Sequence, residues 1–206
     1  MATAERRWTL FPAIVALVLG SVAFSWWHWG AAEAASKPST VEPAPLAVTA
    51  QSTYQFASLQ EMLEGSDAVV VGVVQATNRG RLVGDPDDGG VISRVITVRV
   101  EQVLSMSAET VSEVLLIEEE GWLPDGTPIE VNGVPASEVG DRGLWFLDQV
   151  ATDDVSTMVV INSQGRFLDT VDGTAGGDQS DALVRLLQQR PFEQLVELTI
   201  SLTKET

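Results

Sequence analysis

Asp67-Ala68-Val69-Val70-Val71-Gly72-Val73-Val74 is the stretch that decides the fold. β-branched side chains in near-unbroken succession are stiff at χ1 and fit a pleated strand better than a helix. The run is also too short for a helix of ordinary length, so it predicts a strand. Gly72 in the middle of it marks a bend or a close approach of another backbone.

Immediately upstream, Ser58-Leu59-Gln60-Glu61 matches a capping box, in which a hydroxyl and a carboxylate satisfy backbone donors at a helix start. Leu59, Met62 and Leu63 then share one face of a short helix, and Gly65 is expected to end it in a left-handed conformation. Downstream, residues 78–90 are polar and end in Asp85-Pro86-Asp87-Asp88-Gly89-Gly90, which predicts a hairpin loop. The run 91–104 is the longest strand candidate. Ile96, Val98 and Val100 point one way along it and Thr97, Arg99 and Glu101 the other.

Residues 114–118 predict a further strand, followed by a loop through Gly121, Trp122, Leu123, Pro124, Asp125 and Gly126. Asn132-Gly133 is a two-residue hairpin signal joining Ile129-Glu130-Val131 to a short segment at Val134. Residues 143–147 are apolar, and 158–161 are expected to pair with 166–170 across a turn at 163–165. The period then changes to a helical one. Leu183, Val184, Leu186 and Leu187, then Leu195, Val196, Leu198, Ile200 and Leu202, describe two helices divided at Pro191, the first capped by Asp178 or Ser180.

The N-terminal part of the 206-residue chain reads differently. Arg6 and Arg7 precede an uncharged stretch from Trp8 to Ala32, and about 20 apolar residues suffice to span a bilayer. Trp26, Trp27 and Trp29 stand where an interfacial belt is expected, and the basic pair places the N-terminus in the cytoplasm. Residues 1–32 are therefore expected to be a transmembrane anchor in contact with the membrane through 8–32. The alternative is a cleaved signal with Ala32-Glu33-Ala34 as its site, which would release a secreted chain. Both readings place residues 54–206 outside the cytoplasm as one domain. Residues 33–53, rich in Ala, Ser, Pro and Thr, read as a semi-extended linker.

Composition removes several kinds of chemistry. A net charge of −17 with few, scattered Arg and Lys leaves no cluster to neutralise phosphates, so nucleic acid is not a partner. There is no cysteine, and the one histidine, His28, lies in the apolar stretch among tryptophans. Ser-His-Asp and Cys-His catalysis and ordinary zinc sites therefore have no residues to use in 54–206. No catalytic residue, metal ligand or cofactor is assigned, and an enzyme is not expected. Asp85, Asp87 and Asp88 resemble a calcium loop only in part, since Gly89 stands where an acid is wanted and Ile96 where the closing Glu belongs. Trp122, Leu123 and Pro124 form the candidate contact for a protein partner, because aromatic anchors dominate contact energies.

The order of features resembles that of tissue inhibitors of metalloproteinases and netrin-like domains. The resemblance rests on Ser66 to Val74, on Val100-Glu101-Gln102-Val103-Leu104, and on Val139-Gly140-Asp141-Arg142-Gly143-Leu144-Trp145-Phe146-Leu147. It implies a mainly β fold: an OB-like five-stranded barrel with an extra strand pair, one short N-terminal helix and two C-terminal helices. The inhibitors chelate a target's zinc through an N-terminal cysteine, which this chain lacks, so that chemistry does not carry over. The expected function is a membrane-tethered extracytoplasmic binding or protein-interaction module. The alternative is a carboxylate-based, cation-dependent sensor or hydrolase.

Overall fold

The computed structural model describes residues 44–48, 54–85, 90–107, 112–151 and 156–204. The apolar stretch 8–32 and the acidic tip 86–89 lie outside them. Among the described residues no helix is long and apolar enough to cross a membrane.

The chain is mainly β. Its elements in order are β1 (Leu46–Val48), α1 (Leu59–Glu64), β2 (Ala68–Val83), β3 (Val91–Met106), β4 (Val114–Trp122), β5 (Ile129–Val131), β6 (Arg142–Ala151), β7 (Ser156–Val160), β8 (Arg166–Thr170), β9 (Gly173–Ala175), α2 (Ala182–Gln188) and α3 (Phe192–Thr203). Seven strands form one sheet in the order β2-β3-β4-β7-β6-β8-β9. A further pairing of β2 with β6, from Ala68↔Leu147 to Val73↔Arg142, closes five of them into a ring.

The unbroken apolar run of β2 is explained by burial on both faces, which removes the need for polar alternation. Ala68, Val70 and Val74 join a cluster with Ile96, Val98, Leu115, Ile117, Trp145, Leu147 and Met158, drawn from all five ring strands. Val69 and Val71 face the other way, with Leu144, Phe146 and Phe167, and are covered by side chains of all three helices, among them Met62, Leu187 and Leu195. Strand β3 is covered on one side only. Ile96 and Val98 are fully buried while Arg99 and Glu101 are exposed, as the alternation predicts.

Gly72 sits at a register shift of β2 against β3, opposite Val100. A Cβ there would stand 2.6 Å from the Arg99 carbonyl oxygen and 2.6 Å from Val98 Cγ1, so the close backbone approach is real. Gly72→Val is expected to cost about 1 to 3 kcal/mol by overpacking this seam. Urea denaturation measures it, and an unchanged midpoint would show that the strands can part without penalty.

Several expectations are corrected. The polar stretch after Val74 is mostly strand, not loop: β2 and β3 form one long hairpin whose ladder runs out to Val83↔Val91. β7 and β8 do not pair with each other. Both run antiparallel along the same edge of β6, with Met158 opposite Gln149 and Leu168 opposite Gly143. The Phe146 amide donates to the Gly165 carbonyl and its own carbonyl accepts from Ile161, so residues 161–165 bulge outward without reversing the chain.

Leu46–Val48, placed in the linker by composition, pairs in parallel with β5. Its three residues are too few to show a period. Gly65 ends α1 in the right-handed region, at φ −83 and ψ −4, and its role is steric, because a Cβ would lie 2.7 Å from the Phe56 ring.

At the other helix ends, the Glu61 amide donates to Ser58 Oγ as the capping box predicts, while the Glu61 carboxylate accepts from the Ala57 amide, one residue before the cap. The cap of α2 is Asp181, whose Oδ1 accepts from Val184. Asp178 instead closes a turn through Ser180. Asn132 and Gly133, with φ of 56° and 71°, make the expected tight turn between Val131 and Val134.

Arg142 ties α3 to the sheet. It donates to Glu101, Asp169 and Glu193 at 2.7 to 3.2 Å, and its guanidinium lies 4.9 Å from the centre of the Phe192 ring. These carboxylates, Glu101 foremost, hold the Arg142 pKa above its ordinary range despite partial burial.

Candidate functional site

Strand β4 carries the polar part of the site. Alternation puts Glu119 on the same face as Ile117 and Leu115, which belong to the cluster within the ring, while Glu118 faces the other way. Both glutamates are nonetheless buried. A carboxylate out of water needs partners, and each has found arginine.

Glu119 Oε2 accepts from Arg166 Nη1 at 2.7 Å and from Ser137 Oγ at 2.9 Å, and Oε1 accepts from the Ser137 amide at 2.9 Å. Arg166 also donates to the Ser137 hydroxyl and to the Pro135 carbonyl. Arg94 approaches Glu119 to 3.8 Å and donates to the Ser137 carbonyl. Loop 134–140 is thus pinned by its serine across strands that are far apart in sequence. The Nε atoms of Arg94 and Arg166 and the Trp145 Nε1 are buried with no hydrogen-bond partner.

Glu118 is gripped by Arg81, whose Nε and Nη2 donate to its two oxygens at 3.0 to 3.2 Å. Burial raises the pKa of this carboxyl, but the hydrogen bonds from Arg81 and Ser93 together outweigh it and hold the group below the usual carboxylate range.

These pairs border a cleft of about 680 Å³. It is bordered by the end of the β2–β3 hairpin, with Arg81, Val83, Val91 and Ser93, and by Glu118, Glu119, Glu120 and Leu123. Ile129, Val131, Asn132 and Val134, with Val48 of β1, and Val159, Val160, Asn162, Ser163 and Arg166 complete its lining. Its walls are largely aliphatic, a composition typical of small-molecule and peptide sites. Leu82 and Val83 leave apolar surface exposed at the hairpin end, as Leu46 and Val48 do on β1.

The three residues of the expected contact are separated by the structure. Trp122 is the last residue of β4, half-buried, with the guanidiniums of Arg94 and Arg79 at 4.5 and 5.6 Å from its ring centre. Leu123 lines the cleft. Pro124 is exposed in the turn closed by the Leu123 amide donating to the Thr127 carbonyl. Arg166 and Ser137 were not legible as site residues, because neither lies in a motif and only the topology brings them to Glu119.

A second hollow, of about 470 Å³, is bordered by Tyr54, Phe56, Glu61, Glu64 and Asp148. Burial, with Asp67 as a neighbouring like charge, raises the Asp148 pKa. A carboxyl raised on folding stabilises the fold below its unfolded pKa and loses that contribution as pH rises through the folded value. Asp148→Asn should therefore flatten the decline in melting temperature within that window, as pH rises from the unfolded pKa to the folded one, and an unchanged pH profile would count against the coupling. Among the described residues no group of three or more His, Cys, Asp or Glu is placed to hold a metal ion. No protein-family model matches the chain, and no curated protein is significantly similar to it.

Proposed function

We infer that the chain is a binding module, held on the outer side of a membrane by residues 8–32, and that its ligand enters the cleft beside β4 and β5. The reading is carried by one observation: a largely aliphatic cleft of about 680 Å³ is bordered by two arginine–glutamate pairs, Arg81 with Glu118 and Arg166 with Glu119, beside one exposed carboxylate, Glu120. A site whose arginines are already engaged by carboxylates gains most from apolar surface. The ring of five strands supports an OB-like barrel of the kind implied by the resemblance to metalloproteinase inhibitors and netrin-like domains. Binding of a protein partner, with Leu123 as the contact in the cleft wall, is the form of the function favoured here.

The test is affinity capture from membranes with the tagged full-length chain in detergent, in parallel with a Leu123→Asp variant. A partner retained by the first and lost by the second, with melting temperatures matched, is the expected result. Capture that ignores Leu123→Asp would remove the cleft from the function.

A further inference from the structure

β1 is joined to the domain chiefly by its backbone. The Leu46 amide donates to the Pro128 carbonyl at 2.8 Å and the Asn132 amide donates to the Val48 carbonyl at 2.9 Å. All three β1 residues are exposed, Leu46 at 47% and Val48 at 37%, in a two-stranded sheet separate from the large one. For so short a strand the gain from hydrogen bonds is nearly cancelled by the entropy of ordering it. The register Leu46↔Ile129 and Val48↔Val131 places both side chains on the face of the pair that Ile129 and Val131 turn to the cleft.

We propose that the edge of β5 is a strand-addition site, and that Leu46–Val48 occupies it as an exchangeable stand-in for an extended segment of a protein partner. The proposal rests on the cleft reading above and specifies its ligand. The donors and acceptors of β5 recognise any extended main chain, and the cleft selects its side chains. Both arginines beside the cleft are engaged, Arg81 by Glu118 and Arg166 by Glu119, and the remaining charge in its lining is the exposed Glu120 carboxylate, so an acidic side chain would meet repulsion and no counter-charge. The segment that fits is therefore free of acidic side chains and apolar at alternate positions, as Leu46-Ala47-Val48 is. Because β1 belongs to the same chain, its high effective concentration keeps the edge covered until a stronger segment arrives.

The experiment uses the full-length chain in detergent and a fluorescent peptide of the sequence from Ala44 to Ala50. Leu46→Pro removes the amide that bonds Pro128 and frees the edge. The variant should bind the peptide at least tenfold more tightly than the unaltered chain, and a peptide with Asp at the two positions of Leu46 and Val48 should bind neither. The Asn132 amide should lose protection from hydrogen exchange in the variant and regain it with peptide. Equal binding by both chains, binding of the Asp peptide, or no binding at all overturns the proposal, as does an Asn132 amide that stays protected in the variant alone. If the peptide fails while membrane capture still depends on Leu123, strand addition falls and the cleft reading stands. If both fail, both readings fall.

Discussion

Arg166→Met will lower the free energy of unfolding by about 3 to 5 kcal/mol, because it leaves Glu119 as a buried charge without its principal partner. The two side chains are 6% and 3% exposed, so water cannot take the place of the guanidinium. Ser137 still donates twice to the carboxylate, and Arg94 remains 3.8 Å away, which is why the cost does not run higher. Glu119→Gln added to Arg166→Met should recover part of the loss, since a neutral amide is cheaper to bury than a charge. Urea denaturation of the two variants and of the unaltered chain gives both numbers. A loss under about 1 kcal/mol for the single variant would mean that the cluster opens to solvent and that this part of the cleft lining is not fixed.

Phe146→Ala will cost a similar amount, about 3 to 5 kcal/mol, for a different reason. Phe146 is fully buried between the sheet and the helices, and packs edge to face on Phe167 with ring centres 6.3 Å apart. Its neighbours belong to the packed layer of sheet and helices, so the space is expected to close only in part. The control is Val171→Ser. Val171 stands fully exposed at the tip between β8 and β9, and its replacement should change stability by no more than about 0.5 kcal/mol. A Phe146→Ala loss as small as that control's would show that the helical layer is dispensable to the ring.

The parts of the fold legible in the sequence are those whose signal is local. The capping box at Ser58, the alternation along Ile96, Val98 and Val100, the turn at Asn132-Gly133 and the helix start at Pro191 each depend on neighbours within a few residues, and each appears where the sequence puts it. What escaped was non-local. Residues 158–170 carry a turn signal between two apolar runs, which suits a hairpin, and only the length of β6 shows that both runs find a partner in a third strand.

The composition of residues 33–53 hides a three-residue strand because pairing there is set by the backbone of β5. The same holds for the cleft. Leu123 was among the expected contacts, but Glu119, Ser137 and Arg166 are spread over 47 positions and share no motif. Their meeting is a property of ring closure.

That closure also bears on how the chain folds. The ring is shut by Ala68↔Leu147 at one seam and by only two parallel pairs, Ile117↔Met158 and Glu118↔Val159, at the other. Contacts spanning so many intervening residues must be reached before most of their loop-closure entropy is repaid, which raises contact order and slows the search. The long β2–β3 hairpin can form early from local contacts, whereas the β4–β7 seam, with two pairs, has the shortest ladder of any seam in the ring. Folding is therefore expected on the millisecond-to-second scale of non-local β topologies, with that seam the last to zip and the first to open.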